Sequence, residues 1–101
     1  MNKNDKILIT GGSGLVGHAL LKVLRNNGFT NLCPLSSKDC NLIEKNQVEK
    51  VFGRIKPDYV FHLAAKVFGI GGNAKYQADV FYENVMMNVN VIESSRKMGV
   101  K

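Results

Sequence analysis

No stretch narrows the possible folds of this chain as far as Ile7-Leu8-Ile9-Thr10-Gly11-Gly12-Ser13-Gly14-Leu15-Val16-Gly17. A short apolar run rich in β-branched residues passes directly into a Gly-x-x-Gly-x-x-Gly turn, and beyond it apolar residues recur at helical spacing. Gly11 lets the backbone leave a strand through dihedrals that a side chain forbids. Gly14 leaves room for a pyrophosphate to reach the main chain. Gly17, one turn into the helix, permits close packing on the strand while free N–H groups and the helix dipole face an anion. Glycine-rich turns also serve as plain connectors. The strand before this one, the amphipathic helix after it and the βα units that follow favour a dinucleotide-binding opening.

Further along, Leu15, Val16, Ala19, Leu20, Val23 and Leu24 form the expected buried stripe of the first helix, with Lys22, Arg25 and Asn26 opposite and Asn27-Gly28 as its stop. A second strand is expected over Asn31 to Leu35, interrupted by Pro34, which would cost a ladder hydrogen bond in a central strand. Cys40-Asn41-Leu42 reads as a short further strand beside an adenine pocket. The next helix runs from Glu44 to Ile55, burying Val48, Val51, Phe52 and Ile55, and Lys56-Pro57 ends it. Asp58 to Ala65 is a continuous apolar run of the kind buried on both faces of a parallel sheet, and the small Ala64 and Ala65 leave space for a cofactor at its end. His62 lies inside that run and reads as a hydrogen-bonded core histidine rather than an acid or base.

Lys66 to Lys75 is expected to be a loop, with Gly69, Gly71 and Gly72, at the edge where open α/β sheets place ligands; glycine also marks simple mobility. The last helix runs from Tyr76 or Asp79 to Met98. Its residues Val80, Phe81, Tyr82, Val85, Met86, Met87, Val89, Val91 and Ile92 cover more than one face, so one side meets the sheet and the other meets a partner or the core of a longer chain. The order β-α-β-β-α-β-α predicts an α/β fold: a Rossmann-type, doubly wound parallel sheet. At 101 residues it is incomplete, short of two βαβαβ halves, so residues 1–101 are expected to form the N-terminal part of one dinucleotide-binding domain.

The residues closing the second strand bear on the cofactor. An NAD site usually places a carboxylate there, whereas this chain has Ser36-Ser37-Lys38-Asp39. Two hydroxyls and an ammonium favour the 2′-phosphate of NADP; Asp39 argues against it, and an ordinary polar turn is the plainer alternative. The formal charge is +6, but Lys22, Arg25, Lys45, Lys50, Arg54, Lys66, Lys75, Arg96 and Lys97 are scattered. That pattern suits solvated helix faces and attraction for phosphate-bearing ligands, not nucleic acid. Cys33 and Cys40 lack metal-ligand spacing and read as reduced thiols of a cytoplasmic protein. The polar start, Met1 to Lys6, and the absence of a long apolar run speak against secretion and membrane insertion.

These residues resemble the extended short-chain dehydrogenases that act on nucleotide sugars, and within them the GDP-L-fucose synthase family. Besides the glycine turn, the resemblance is carried by Ser36-Ser37-Lys38-Asp39, by His62-Leu63-Ala64-Ala65-Lys66-Val67-Phe68-Gly69-Ile70 and by Tyr76-Gln77-Ala78-Asp79-Val80-Phe81-Tyr82-Glu83-Asn84-Val85. It implies an NADP-dependent epimerase and reductase converting GDP-4-keto-6-deoxy-mannose to GDP-L-fucose. Gly11, Gly14 and Gly17 would lie at the pyrophosphate, with Leu15 and Val16 in the same cofactor-binding segment. Ser13, Ser37 and Lys38 would lie near the 2′-phosphate, Asn41 and Leu42 beside the adenine, and Ala64, Ala65 and Lys66 on the nicotinamide side. It also implies a homo-oligomer through the helix Tyr76 to Met98.

The chain departs from the family's loop at Phe68, where glycine is usual. The residues four places after Tyr59, Tyr76 and Tyr82 are Leu63, Val80 and Met86, so the family's Tyr-x-x-x-Lys pair is missing, as are its catalytic Ser, Cys and His. No catalytic residue is expected in these 101 residues, and the isolated chain is expected to be inactive and to associate through the unpaired edge of the strand Asp58 to Ala65. The alternatives are a non-catalytic module that binds a dinucleotide or a partner, or another nucleotide-sugar epimerase or dehydratase.

Overall fold

A computed structural model of the chain describes residues 1–64 and 74–100, with the side chains of the last helix from residue 78 onward. Strands and helices alternate as β1 (Ile7–Thr10), α1 (Leu15–Asn26), β2 (Leu32–Leu35), α2 (Lys45–Ile55), β3 (Tyr59–His62) and α3 (Ala74–Lys97). The strands form a parallel sheet in the order β2-β1-β3, with Ile7 opposite both Leu32 and Tyr59, and Thr10 opposite both Leu35 and His62. Asp58 locks the start of β3 to β1: its carboxylate accepts the Lys6 N–H at 2.8 Å, and its own N–H donates to the Lys6 carbonyl at 2.8 Å.

Alternation along β1 divides the core in two. Ile7 and Ile9 point to α1 and pack with Leu21 and Leu24. Leu8 points the other way, into a cluster with Leu35, Cys40, Leu42, Val48, Val51, Phe52, Met87 and Val91. Helices thus cover both faces of the sheet, α1 on one and α2 with α3 on the other. Ile7, Leu8 and Ile9 are each 0% exposed, and burying each side chain is worth about 1.5–3 kcal/mol.

Gly17 sets the rotation of α1. A Cβ there would clash with the Gly11 carbonyl oxygen and would lie 2.8 Å from the Gly12 Cα, so the helix meets the turn backbone to backbone. Leu21 and Leu24, on the same side of the helix as Gly17, are then the ones buried. The stripe expected from spacing is corrected accordingly: Leu24 is buried and Leu20 is partly buried, but Leu15, Val16, Ala19 and Val23 are exposed. Close approach at one glycine outweighs the burial of larger side chains on the neighbouring stripe.

Pro34 is accommodated because β2 is an outer strand of this sheet. The carbonyls of Asn31 and Leu35 accept the N–H groups of Ile7 and Gly12 at 3.0 and 3.2 Å, so the intervening even-numbered position turns its nitrogen away from β1. The expected short strand at Cys40-Asn41-Leu42 is not formed; residues 41–44 make a turn. Asn41 causes it: its Oδ1 accepts the Ile43 N–H at 3.2 Å and its carbonyl accepts the Glu44 N–H at 3.0 Å, a local closure that competes with a ladder. The observed order is therefore β-α-β-α-β-α.

The stop at Asn27-Gly28 is present, with Gly28 at φ +88°. Among the described residues β3 flanks only β1, so its other edge is unpaired, as expected. The expected loop at Lys66 to Lys75 lies largely outside the described residues, as do Ala65 and Phe68.

Two substitutions separate the roles of glycine. Gly17→Ala is expected to cost about 1–3 kcal/mol, as overpacking against backbone does. Gly53→Ala, in α2 where an added Cβ meets nothing within 4 Å, is expected to stabilise by about 0.5–1 kcal/mol. Urea unfolding of the two variants checks both signs.

Candidate nucleotide-binding site

The carboxyl ends of all three strands open on one cavity of about 380 Å³. It lies where the strand order reverses, with β2 and β3 leaving opposite sides of β1, which is where open α/β sheets bind ligands. Gly11, Ser13 and Gly14 form its floor, and Leu35 to Ser37 enter from the end of β2. Cys40 to Ile43 make one wall, Leu63 and Ala64 the other, and Met87 of α3 lies between them. Among the described residues, none that lines the cavity is charged. An anion here would be met by N–H groups, hydroxyls and the N-terminus of α1.

The glycines of the turn differ in what requires them. Gly11 sits at φ +71°, and a Cβ on it would lie 2.9 Å from the Ala64 nitrogen. Gly12, which the spacing argument passed over, is buried: a Cβ would lie 2.6 Å from the Pro34 Cβ. Gly14 is unlike both. Its backbone is ordinary, φ −79° and ψ 175°, and among the described residues an added Cβ would meet only the Gly11 carbonyl oxygen, at 3.4 Å. Among the described residues, nothing requires glycine there. Gly14 also caps α1 without a side-chain bond, and the first turn carries no acidic residue, so its N–H groups have no partner within the helix.

Of the candidate residues, Gly11, Ser13, Gly14, Ser37, Asn41, Leu42 and Ala64 line the cavity. Gly17 is buried behind the turn; Leu15, 90% exposed, and Val16 lie past its rim, and Lys38 is exposed beside Ser37 without forming part of the wall. Ala65 and Lys66 lie outside the described residues. Cys40 contributes a thiol that burial pushes above its ordinary range, against the pull of Arg54. Among the described residues no three His, Cys, Asp or Glu side chains are grouped so as to hold a metal ion.

Register brings together residues that lie far apart in sequence. Thr10 and His62 are neighbours across β1 and β3, and Thr10 Oγ1 lies 2.6 Å from His62 Nδ1. His62 Nε2 in turn lies 2.7 Å from Asn88 Oδ1 of α3. With the ring neutral, Nε2–H donates to Asn88, Nδ1 accepts from the Thr10 hydroxyl, and Thr10 Oγ1 accepts the Ala64 N–H at 3.2 Å. His62 is thus hydrogen-bonded as expected, though half-buried rather than deep in the core.

Asp39 is turned back on its own loop. Its carboxylate accepts the Ser36 N–H at 2.9 Å and the Ser36 Oγ–H at 3.0 Å, and these bonds hold its pKa below the ordinary range. The loop leaves Ser37, not Asp39, on the cavity wall.

The NAD dependent epimerase/dehydratase family model matches residues 7–101. GDP-L-fucose synthase 1 of Arabidopsis thaliana is 41% identical over 100 residues, covering 99% of this chain and 31% of its own length. A GDP-mannoheptose C4 reductase from Campylobacter jejuni, solved with NADP bound, superposes with a TM-score of 0.93 at 39% identity over 100% of this chain and 32% of its own. A GDP-L-fucose synthetase from Naegleria fowleri bound to NADP gives a TM-score of 0.87 at 33% identity over 100% of this chain and 30% of its own. The chain therefore spans about a third of the length of these relatives.

The bonds to Asp39 favour its ionised form in the folded chain. Their stabilisation is complete above the ordinary aspartate value and is lost as pH falls through the lowered folded value. An NMR titration is expected to give Asp39 a midpoint below that of an unperturbed aspartate. Ser36→Ala should raise the midpoint only part of the way, because the Ser36 backbone N–H remains.

Proposed function

The chain belongs to the NAD dependent epimerase/dehydratase family, and from that premise we propose that residues 1–101 are the NADP(H)-binding part of a nucleotide-sugar epimerase and reductase that converts GDP-4-keto-6-deoxy-mannose to GDP-L-fucose. Gly14 is the observation that carries this reading. Its glycine is needed neither for φ nor for packing against any described residue, so the space above it suits a group that must approach the main chain from outside. The uncapped first turn of α1 points N–H groups and a positive dipole end at the same place, which suits a pyrophosphate.

In this reading Gly11, Gly14 and Gly17 shape the pyrophosphate turn, with Leu15 and Val16 supplying first-turn amides. Ser13 and Ser37 receive the 2′-phosphate, and Lys38 adds a positive charge from just outside the wall. Asn41 and Leu42 flank the adenine, and Ala64, followed by Ala65 and Lys66, borders the nicotinamide. The relatives solved with NADP support this choice of cofactor. NADPH would supply hydride to a sugar ketone; this chain's residues bind and orient it.

A second substrate reading has an observation in its favour. The GDP-mannoheptose reductase superposes at a TM-score of 0.93, against 0.87 for the Naegleria fucose synthetase, and its 39% identity is close to the 41% of the Arabidopsis fucose synthase, so a GDP-heptose is the alternative sugar. Turnover assays on the natural full-length protein with each GDP-4-keto sugar distinguish the two.

The outer face of α3, with Phe81, Tyr82, Val89 and Ile92 exposed, supports contact with a second copy through this helix. Two free cysteines suit a cytoplasmic location, and among the described residues no helix is long and apolar enough to cross a membrane.

Gly14→Ala is expected to leave the melting temperature unchanged while weakening NADPH binding roughly tenfold or more, read by nucleotide fluorescence. Unaltered affinity would remove the basis of the cofactor assignment. Ser37→Ala is expected to lower the preference for NADPH over NADH by roughly tenfold in the same titration. Ile92→Glu, at a position 65% exposed, is expected to shift sedimentation toward monomer.

A further inference from the structure

α3 holds both walls of the cavity, and it does so with two asparagines. An α-helix turns about 100° per residue. With Met87 and Val91 facing the sheet core, Asn88 and Asn90 therefore fall on opposite flanks of that stripe. Asn90 is 5% exposed, and its side-chain Nδ2 donates to the Leu42 carbonyl at 2.8 Å and to the Ile43 carbonyl at 3.0 Å. Residues 40–43 are not in a strand, so these carbonyls have no sheet ladder to satisfy them. Asn90 takes that place and thereby ties the Cys40–Ile43 wall to the helix. On the other flank, Asn88 Oδ1 meets His62 Nε2 at 2.7 Å, and His62 Nδ1 meets Thr10 Oγ1, which accepts the Ala64 N–H. That chain of bonds ends at Ala64, on the opposite wall.

We propose that Asn90 and Asn88 are positioning residues that set the two walls of the cavity independently: Asn90 the wall at Leu42 and Ile43, and Asn88, acting through His62 and Thr10, the wall at Leu63 and Ala64. The inference rests on the reading of this cavity as a dinucleotide site with the adenine at Leu42. It predicts that the two asparagines act on different halves of the ligand. A residue important only for general stability would weaken both halves together, since it has no means of sparing one.

The test is a titration of the natural full-length protein with two probes, NADPH and its adenine half, adenosine 2′,5′-bisphosphate, at a temperature well below each variant's measured melting point. Asn90→Ala is expected to weaken both probes by about tenfold. Asn88→Ala, at an exposed position, is expected to weaken NADPH by about threefold and to leave the bisphosphate unchanged. Should Asn90→Ala fail to fold, the split measured in Asn88→Ala decides: NADPH weakened with the bisphosphate intact supports the proposal. Equal losses of the two probes in Asn88→Ala, or unchanged affinities in both variants, would overturn it. If the unaltered protein binds neither probe, the dinucleotide reading falls, and the proposal falls with it.

Discussion

The backbone of Gly17 lies against the backbone of Gly11 and Gly12, and the rest of the structure follows from that contact. There is no room for a Cβ at this point, so the first turn of α1 sits directly on the end of β1. The rotation of α1 is thereby set, Leu21 and Leu24 meet Ile7 and Ile9, and one face of the sheet is closed. The same contact aims the uncapped N-terminus of α1 across the carboxyl ends of the strands. Gly14, at that N-terminus, has only the Gly11 carbonyl oxygen within 4 Å of its Cβ position among the described residues. The packing constraint and the binding geometry are thus two results of one backbone arrangement.

The other face depends on α3. Met87 and Val91 complete the cluster around Leu8 and Phe52, while Asn90 bonds backbone carbonyls that no ladder pairs and Asn88 bonds the His62 ring. Thr10 connects the two systems. It is fully buried in β1, its carbonyl accepts the Leu63 N–H at 3.2 Å, and its hydroxyl is engaged by His62 and Ala64. Buried polar groups satisfied in this way place β3 against the glycine turn more sharply than apolar contact could, because hydrogen bonds are directional and costly to leave unmade.

Some of this was legible from local residues. The turn after Ile9, the stop at Asn27-Gly28, the buried face of α2 and the loop at Ser36 each follow from backbone freedom or periodicity within a few positions. Pro34 raised an objection to a strand that disappears once β2 is seen to be outermost, with the Pro34 nitrogen turned away from β1. Asn41 marks the opposite case. Its side chain closes a turn where apolar neighbours suggested a strand, because an Asn side chain can satisfy its own backbone locally. Gly12 went unnoticed because its neighbour, Pro34, belongs to another strand.

The alternating α/β class and the position of the glycine turn were determined by the chain's own residues, though the number of strands was not. Those properties depend on φ/ψ freedom and on hydrophobic period, and both are properties of contiguous sequence. Folding alone decided which stripe of α1 is buried, that Thr10 and His62 become neighbours, and that Asn88 and Asn90 hold opposite walls of one cavity. These depend on strand register and helix rotation, which are set by contacts between residues dozens of positions apart. No local pattern encodes such contacts until the sheet has formed.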